Sequence, residues 1–367
     1  MISQYKAICV EKYLPQMIIT QTPYRISLFG GGTDYPDWYL RNGGQVLSTT
    51  IDKYVYISCR YLPPFFEHKL RLAYSEVETC NHADELKHPA AREVLKHLGL
   101  VNGLEIHYDG DLPSRSGMGS SSAFSVGLIK ALYCLKNQEI DREQLANEAI
   151  YVEQKKIGES VGSQDQVNAA YGGFNNIQFK HDGTIGVIPV DVSGKRKKEL
   201  NDQLMLFYTG IMRTAETVSS TYATNTVEKT AQLRRMYKIV DEASKTIVSN
   251  DSLDSVGRLL HESWIEKRKL SDMVSNTRVD DIYQSALKAG ALGGKLCGAG
   301  GGGMMLLYVP RKHQSSVRNA LSSLLYVPFR FSETGSQIIF SNRTARLTEV
   351  ESNRSNSIKK FIELEDV

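Results

Sequence analysis

A two-lobed α+β fold is what this sequence predicts, and three observations carry the expectation. The chain has 367 residues, and at about 150 residues per domain that length suggests two cores. Strand-like segments and helical periods occur in both halves, as packed layers require. Between the halves, the run Gly194, Lys195, Arg196, Lys197, Lys198 reads as an exposed turn at a lobe boundary. The expected division is residues 1–198, residues 199–350 and a tail, residues 351–367.

From Met17 the segment MIITQTPYRISLF reads as a strand, a turn at Pro23 and a second strand running into Gly30, Gly31 and Gly32. Residues 45–62 are rich in Val, Ile, Thr and Tyr; Tyr54, Tyr56 and Ser58 alternate against Val55 and Ile57, the period of a long hairpin or meander. Residues 104–108 form a short strand that feeds a loop over 109–119. Apolar residues at 124, 128, 129, 132 and 135 give residues 120–136 the period of a buried helix behind serine caps. A second helix, capped by Asp141, is expected to reach residue 157 with Leu145, Ala149, Val152 and Ile157 on one stripe. A strand at 204–208 and a polar loop at 209–213 come next, then helices near 217–249, 253–273 and 280–289. After a glycine cluster, MMLLYVP is a buried strand, residues 311–325 a helix and residues 327–331 the last strand. The tail after Arg346 reads as a helix that docks on either lobe.

Composition excludes several classes of function. Lys and Arg number 44 against 41 Asp and Glu, a formal +3 spread along the chain, so no nucleic-acid partner is indicated. No uncharged apolar run approaches the roughly 18 residues of a membrane-spanning helix. Five widely spaced cysteines without a C-x-x-C support neither a disulfide framework nor a zinc site. The first sixteen residues lack the apolar run and cleavage site of a secretory signal, which makes a reducing cytoplasm the expected location.

Glycine is ordinary in number, 29, but clustered: eight lie within residues 290–303 and three are consecutive at 30–32. Three glycine loops invite a phosphate. The Walker A pattern is absent, because Leu296 follows Lys295 where a hydroxyl would be needed for Mg²⁺. Residues 298–303 satisfy G-x-G-x-x-G, but the expected helix before and strand after invert the dinucleotide-binding order. The best cradle is Pro113, Ser114, Arg115, Ser116, Gly117, Met118, Gly119, Ser120, Ser121, Ser122, Ala123, where flexible glycines and a helix N-terminus gather backbone N–H groups. Read alone, that segment is more often a plain helix cap than an anion site. Read alone, Asp165, between two amides in a glycine-rich turn, is first a turn residue, and Glu153, late in the preceding helix, is by default a surface carboxylate. Arg25 points off a strand beside a glycine loop, suited to a site or to a structural ion pair. Asp34 suits a site or a cap for the helix that follows it.

Taken in order, three segments resemble the three motifs of the GHMP small-molecule kinases: Pro23 to Asp34 with its Gly-Gly-Gly-Thr-Asp end, Pro113 to Ala123 with its Gly-Met-Gly-Ser-Ser-Ser core, and Lys295 to Gly303. The triple-glycine form of the first motif looks most like the D-glycero-D-manno-heptose 7-phosphate kinases within that superfamily.

The resemblance implies an N-terminal lobe like ribosomal protein S5 domain 2, a ferredoxin-like C-terminal lobe and an active site between them. It implies ATP and Mg²⁺ as cofactors. The β- and γ-phosphates fall on the loop and cap of Pro113, Ser116, Gly117, Met118, Gly119, Ser120, Ser121 and Ser122, and the metal on Ser121 and Glu153. Asp165 matches the catalytic aspartate that accepts the sugar hydroxyl's proton, and Arg25 the basic residue that keeps it ionised. Gly31, Gly32, Thr33, Asp34, Gly300 and Gly301 match the sugar pocket. The implied partner is a small-molecule sugar phosphate, with no nucleic acid and no membrane, and a homodimer is left open. A substrate that already carries phosphate needs cations; Arg115, Lys155, Lys156, Arg92 and Arg213 are candidates by proximity to the motif segments, none is singled out by spacing, and each reads first as a solvated surface charge. A kinase of an unphosphorylated sugar and a non-catalytic sugar sensor are the competing readings.

Overall fold

The computed structural model of the protein describes residues 15–63, 65–211 and 229–343. The expectations for the opening residues, for Arg213, for the start of the 217–249 helix and for the tail at 351–367 lie outside these.

Two long antiparallel strands, β1 (Pro15–Phe29) and β2 (Gly44–Tyr61), form the spine of the first lobe, joined through helix α1 (Pro36–Asn42). Pro23 does not turn the chain as expected. It lies inside β1, where it has no N–H for the ladder, and the register with β2 shifts between Pro23 and Arg25, as at a bulge. Nor is β2 a hairpin. Its first half is buried on both faces, and only its second half alternates, so the Tyr54-to-Ser58 pattern marked the half with one wetter face.

β3 (Leu70–Ala73) and β4 (Val77–Cys80) precede helix α2 (Pro89–His97) and strand β5 (Leu104–Gly110), which pairs with the distal half of β2 and runs parallel to β3. Helix α3 (Ser120–Leu135) packs on β1 and β2, and the Thr20 hydroxyl donates to the Gly127 carbonyl at 3.2 Å. Its expected serine cap is absent: Gly119 stands at the N-cap with φ 78°. Helix α4 (Arg142–Tyr151) begins as expected, with the Asp141 carboxylate accepting from the Gln144 amide at 2.8 Å. At Val152 the helix widens into a π-turn (Val152–Ile157), so it does not run unchanged to residue 157. Helix α5 (Gln164–Tyr171), strand β6 (Phe174–Phe179) on the proximal half of β2, and strand β7 (Ile185–Pro189) follow.

The basic run at 194–198 is helical, not a turn. It opens α6 (Gly194–Asp202), where the Ser193 hydroxyl accepts from the Arg196 amide and the Arg196 guanidinium reaches the carbonyls of Thr246 and Ile247. Strand β8 (Leu204–Tyr208) then starts a second sheet, completed after helices α7 (Thr230–Val248), α8 (Asp254–Arg268) and α9 (Thr277–Lys288) by strands β9 (Gly293–Leu296) and β10 (Met304–Tyr308). Helix α10 (Gln314–Ala320), shorter than the expected 311–325, leads to strand β11 (Leu325–Tyr326). The sheet is antiparallel in the order β11-β8-β10-β9, the 4-1-3-2 order of a ferredoxin-like lobe.

Residues 327–331 do not end the strands. β12 (Phe331–Ser332) pairs with β2, and β13 (Gln337–Arg343) pairs with β1, with Ile338 opposite Thr20. A cut at residue 198 therefore does not separate the two sheets. The return covers the outer edge of β1, which would otherwise expose unpaired backbone groups, and the Thr22 and Ser336 hydroxyls meet at 2.8 Å across it.

Candidate active site

The β1 bulge sets the first residue of the site. It frees the Arg25 amide from the ladder to donate to the Met118 carbonyl at 3.2 Å, while Arg25 Nη1 donates to the Gly117 carbonyl at 2.7 Å. The remaining guanidinium edge grips Asp165 with two bonds, Nε to Oδ1 and Nη2 to Oδ2, each 2.7 Å. Burial works against the Arg25 charge, but Asp165 overcomes it and the guanidinium is held more firmly protonated. Asp165 sits in the first turn of α5 and keeps 24% of its side chain exposed, so its carboxylate can still be reached from the cleft.

That cleft has a volume of about 340 Å³ and lies between the α3 N-terminus, the loop at 30–34, the loop after the π-turn and the glycine hairpin joining β9 to β10. The hairpin has a strand on each side, not the expected helix before it; the dinucleotide reading stays excluded because no helix follows it. The two glycine loops touch backbone to backbone. Gly117 has φ +79°, and a Cβ there would stand 2.4 Å from the Cys297 carbonyl oxygen; a Cβ on Gly298 would stand 2.6 Å from the Gly117 Cα. Only glycine fits either position. The amide of Met304 also donates to the Ser116 carbonyl at 3.0 Å, which ties the cradle to the second lobe.

Of the residues expected to hold phosphates, Gly117, Gly119, Ser120, Ser121 and Ser122 line the cleft. Met118 and Ser116 are buried behind it and Pro113 is exposed outside it. The first-turn amides of α3 have no intrahelical acceptors and open on the cleft. Ser120 meets the Tyr108 hydroxyl at 3.1 Å, and Ser121 is exposed.

Glu153 is not a surface carboxylate. The π-turn rotates it inward, where it is 1% exposed and its Oε2 accepts from the Ser122 hydroxyl at 2.9 Å and from the Gln166 amide. Its Oε1 is buried without a hydrogen-bond partner. Burial pushes its pKa up to about 7, outweighing the nearby Ser125 and Ser122 hydroxyls. An orphaned carboxylate oxygen beside a hydroxyl, next to a phosphate cradle, fits a hard divalent cation that also takes phosphate oxygens. Among the described residues no group of three or more His, Cys, Asp or Glu gathers to hold a metal by itself. The hydroxyl on Glu153 belongs to Ser122, one residue beyond the expected Ser121.

The Glu153 environment has a measurable consequence. An ordinary glutamate titrates near ~4.3, so the folded protein binds the extra proton between there and about 7, and this contribution is lost as pH rises through 7. Metal-free Glu153→Gln should therefore melt several degrees above wild type at pH 8, with the gap closing toward pH 5, while turnover falls. A melting difference that ignores pH would disprove the assignment.

Of the residues expected to form the sugar pocket, Gly31, Gly32, Asp34 and Gly300 line the cleft, as do Tyr35, Gly162, Gln164 and Leu270. Asp34 does not cap α1; its Oδ1 accepts from the Gly32 amide at 2.8 Å and its Oδ2 from the Gln164 amide at 3.4 Å. Burial raises its pKa. Thr33 is buried behind the loop, its hydroxyl donating to the carbonyls of Gly30 and Gln45, and Gly301 spends its amide on Val274. Among the five candidate cations, Arg115 lines the cleft, Arg92 is tied to Glu93 and the Leu86 carbonyl, Lys155 and Lys156 are exposed on the π-turn, and Arg213 is undescribed.

Two lysines also line the cleft: Lys295, which opens the third motif but was given no role from sequence, and Lys267, which was not singled out at all. Lys267 continues the buried stripe of Val256, Leu260 and Trp264 on α8, and a lysine on such a stripe is the signal that could have found it.

The match to known proteins follows the geometry. Residues 85–173 match the N-terminal domain of GHMP kinases and residues 236–327 the C-terminal domain. This chain belongs to the GHMP kinases, phosphotransferases that use ATP as phosphate donor and an alcohol group as acceptor. Within them it is a sugar kinase: it is 30% identical over 333 residues to the D-glycero-alpha-D-manno-heptose 7-phosphate kinase of Campylobacter jejuni, covering 87% of this chain and 97% of that one. It is 27% identical over 351 residues to the galactokinase of Pyrococcus furiosus, covering 83% and 92%. The fold is shared with a D-glycero-D-manno-heptose 1-phosphate kinase from Bacteroides thetaiotaomicron, with TM-score 0.72 and 22% identity over 88% of this chain and 99% of that one.

Proposed function

We propose that the chain transfers the γ-phosphate of ATP to the anomeric hydroxyl of D-glycero-D-manno-heptose 7-phosphate, giving the 1,7-bisphosphate for nucleotide-heptose synthesis. The observation that carries the reaction type is the two-bonded Arg25–Asp165 pair, set against Gly119 at the α3 N-terminus and open to the cleft. The similarity to the Campylobacter jejuni enzyme supports the substrate.

Phosphoryl transfer asks mainly for positioning and charge stabilisation. The free amides of residues 120–122 would hold the donor's terminal phosphates, and Glu153 with the serine hydroxyls beside it would hold Mg²⁺, which neutralises charge on the phosphate oxygens when bound. Asp165 orients the attacking hydroxyl and receives its proton. Arg25 holds Asp165 in place from behind and adds positive charge beside the transferring group. Asp34, fixed by two backbone amides, would accept from sugar hydroxyls.

The test is ADP release with ATP, Mg²⁺ and a panel of acceptors: heptose 7-phosphate, the free heptose, galactose, fucose and arabinose. Turnover should be greatest with heptose 7-phosphate. Turnover confined to a free sugar would overturn the substrate, and ATP binding without turnover on any acceptor would overturn the catalytic reading.

A further inference from the structure

The cleft holds two buried lysines besides the Arg25–Asp165 pair. Lys267 and Lys295 both line it, at 5% and 2% exposure, and among the described residues neither forms a salt bridge. Lys267 Nζ donates to the Gly298 carbonyl, and Lys295 Nζ donates to the carbonyls of Ser27 at 2.9 Å and Leu28 at 3.3 Å. An ammonium has three protons, so these contacts leave Lys267 with donors to spare.

Both lysines reach the side of the cleft walled by the 30–34 loop: Lys295 binds carbonyls of β1 just before Gly30, and Leu270, close after Lys267, stands 3.8 Å from where a Cβ on Gly32 would lie. The two ammonium groups repel each other and Arg25, and the carboxylate that acts on both is Asp34. Arg25 is already neutralised by Asp165, so one buried carboxylate faces two buried ammonium groups. Buried charges without partners are costly, and a site that keeps them is built for an anion that arrives with the ligand. Burial first, then their mutual repulsion, lowers Lys267 to about 7, while burial lowers Lys295 to about 8; a bound dianion would reverse that pressure. The donor phosphates already have the α3 amides and Arg25.

Resting on the acceptor proposed above, we infer that Lys267, supported by Lys295, binds the phosphate monoester that the acceptor already carries and so selects phosphorylated over free sugar. Lys267 reaches this place because α8 turns its apolar stripe toward the hairpin; no sequence motif contains it.

The experiment is Lys267→Met, a change of similar volume that removes the charge, with circular dichroism and melting temperature as the check on folding. Losing a desolvated charge partner should raise KM for heptose 7-phosphate about 30-fold or more. KM for ATP should stay within about twofold, and kcat should fall much less than kcat/KM. A raised KM for ATP would assign the lysine to the donor phosphates and overturn the inference, as would a fall in kcat with both KM values unchanged. Should the variant fail to fold, wild type decides: inorganic phosphate should inhibit competitively against heptose 7-phosphate and not against ATP, and the reverse pattern overturns the inference. If wild type releases no ADP with heptose 7-phosphate, the proposed substrate has failed; if wild type uses it and Lys267→Met leaves its KM unchanged, only the phosphate site has.

Discussion

Asp165→Asn should lower kcat by roughly 10²–10⁴-fold, the usual worth of a positioned proton acceptor. The substitution keeps the volume and one carbonyl oxygen for Arg25, so the pair loses its second ionic bond and the reacting hydroxyl loses its acceptor. Folding should survive, because Asp165 is partly exposed and lies at a helix start. Arg25→Met should be worse in both respects. It strands the Asp165 carboxylate and removes a bond to the Gly117 carbonyl, and breaking a buried pair from one side costs about 3–5 kcal/mol. Steady-state ADP release and thermal melting of the two variants provide the check. Near-wild-type kcat in a folded Asp165→Asn protein would remove Asp165 from the chemistry.

Gly117→Ala should be nearly as damaging, although it touches no charged group. A left-handed φ costs a residue with a Cβ about 1–2 kcal/mol, and the methyl would press on the Cys297 carbonyl at 2.4 Å. That carbonyl is backbone, so it cannot swing aside. The two glycine loops must part, carrying the α3 N-terminus away from Asp165, and a misplacement near 1 Å can cost about 10²-fold in rate. Melting should drop by several degrees and kcat by about two orders of magnitude. An unchanged kcat in the variant would show that contact between the loops does not position the site.

Much of the site was legible because it is local. The Gly117-to-Ser122 cradle, Arg25, Asp34 and Asp165 sit in short segments whose residue types suit turns and charge, and two of those segments, followed in order by Lys295 to Gly303, identify the family. Where the reading was wrong, the deciding forces were not local. The Pro23 turn became a bulge because β2 runs unbroken beside it and holds the strand straight. Glu153 looked like a surface acid because its burial depends on a π-turn that shifts the helix phase. For the same reason Ser122, and not Ser121, meets it: successive residues on α3 point in different directions, and packing against the π-turn selects which one faces the acid.

The sequence by itself determined the family, the reaction class and the glycine loops that line the cleft, since turn and glycine conformations are set by neighbours within a few residues. Only the tertiary structure decided that the last strands return to cover β1, that the two glycine loops lock together through Gly117 and Gly298, and that Lys267 enters the cleft. Each of these joins residues more than 60 positions apart, or depends on which side of a helix is buried. Such choices are made by close packing and by the cost of unpaired polar groups, not by any local pattern.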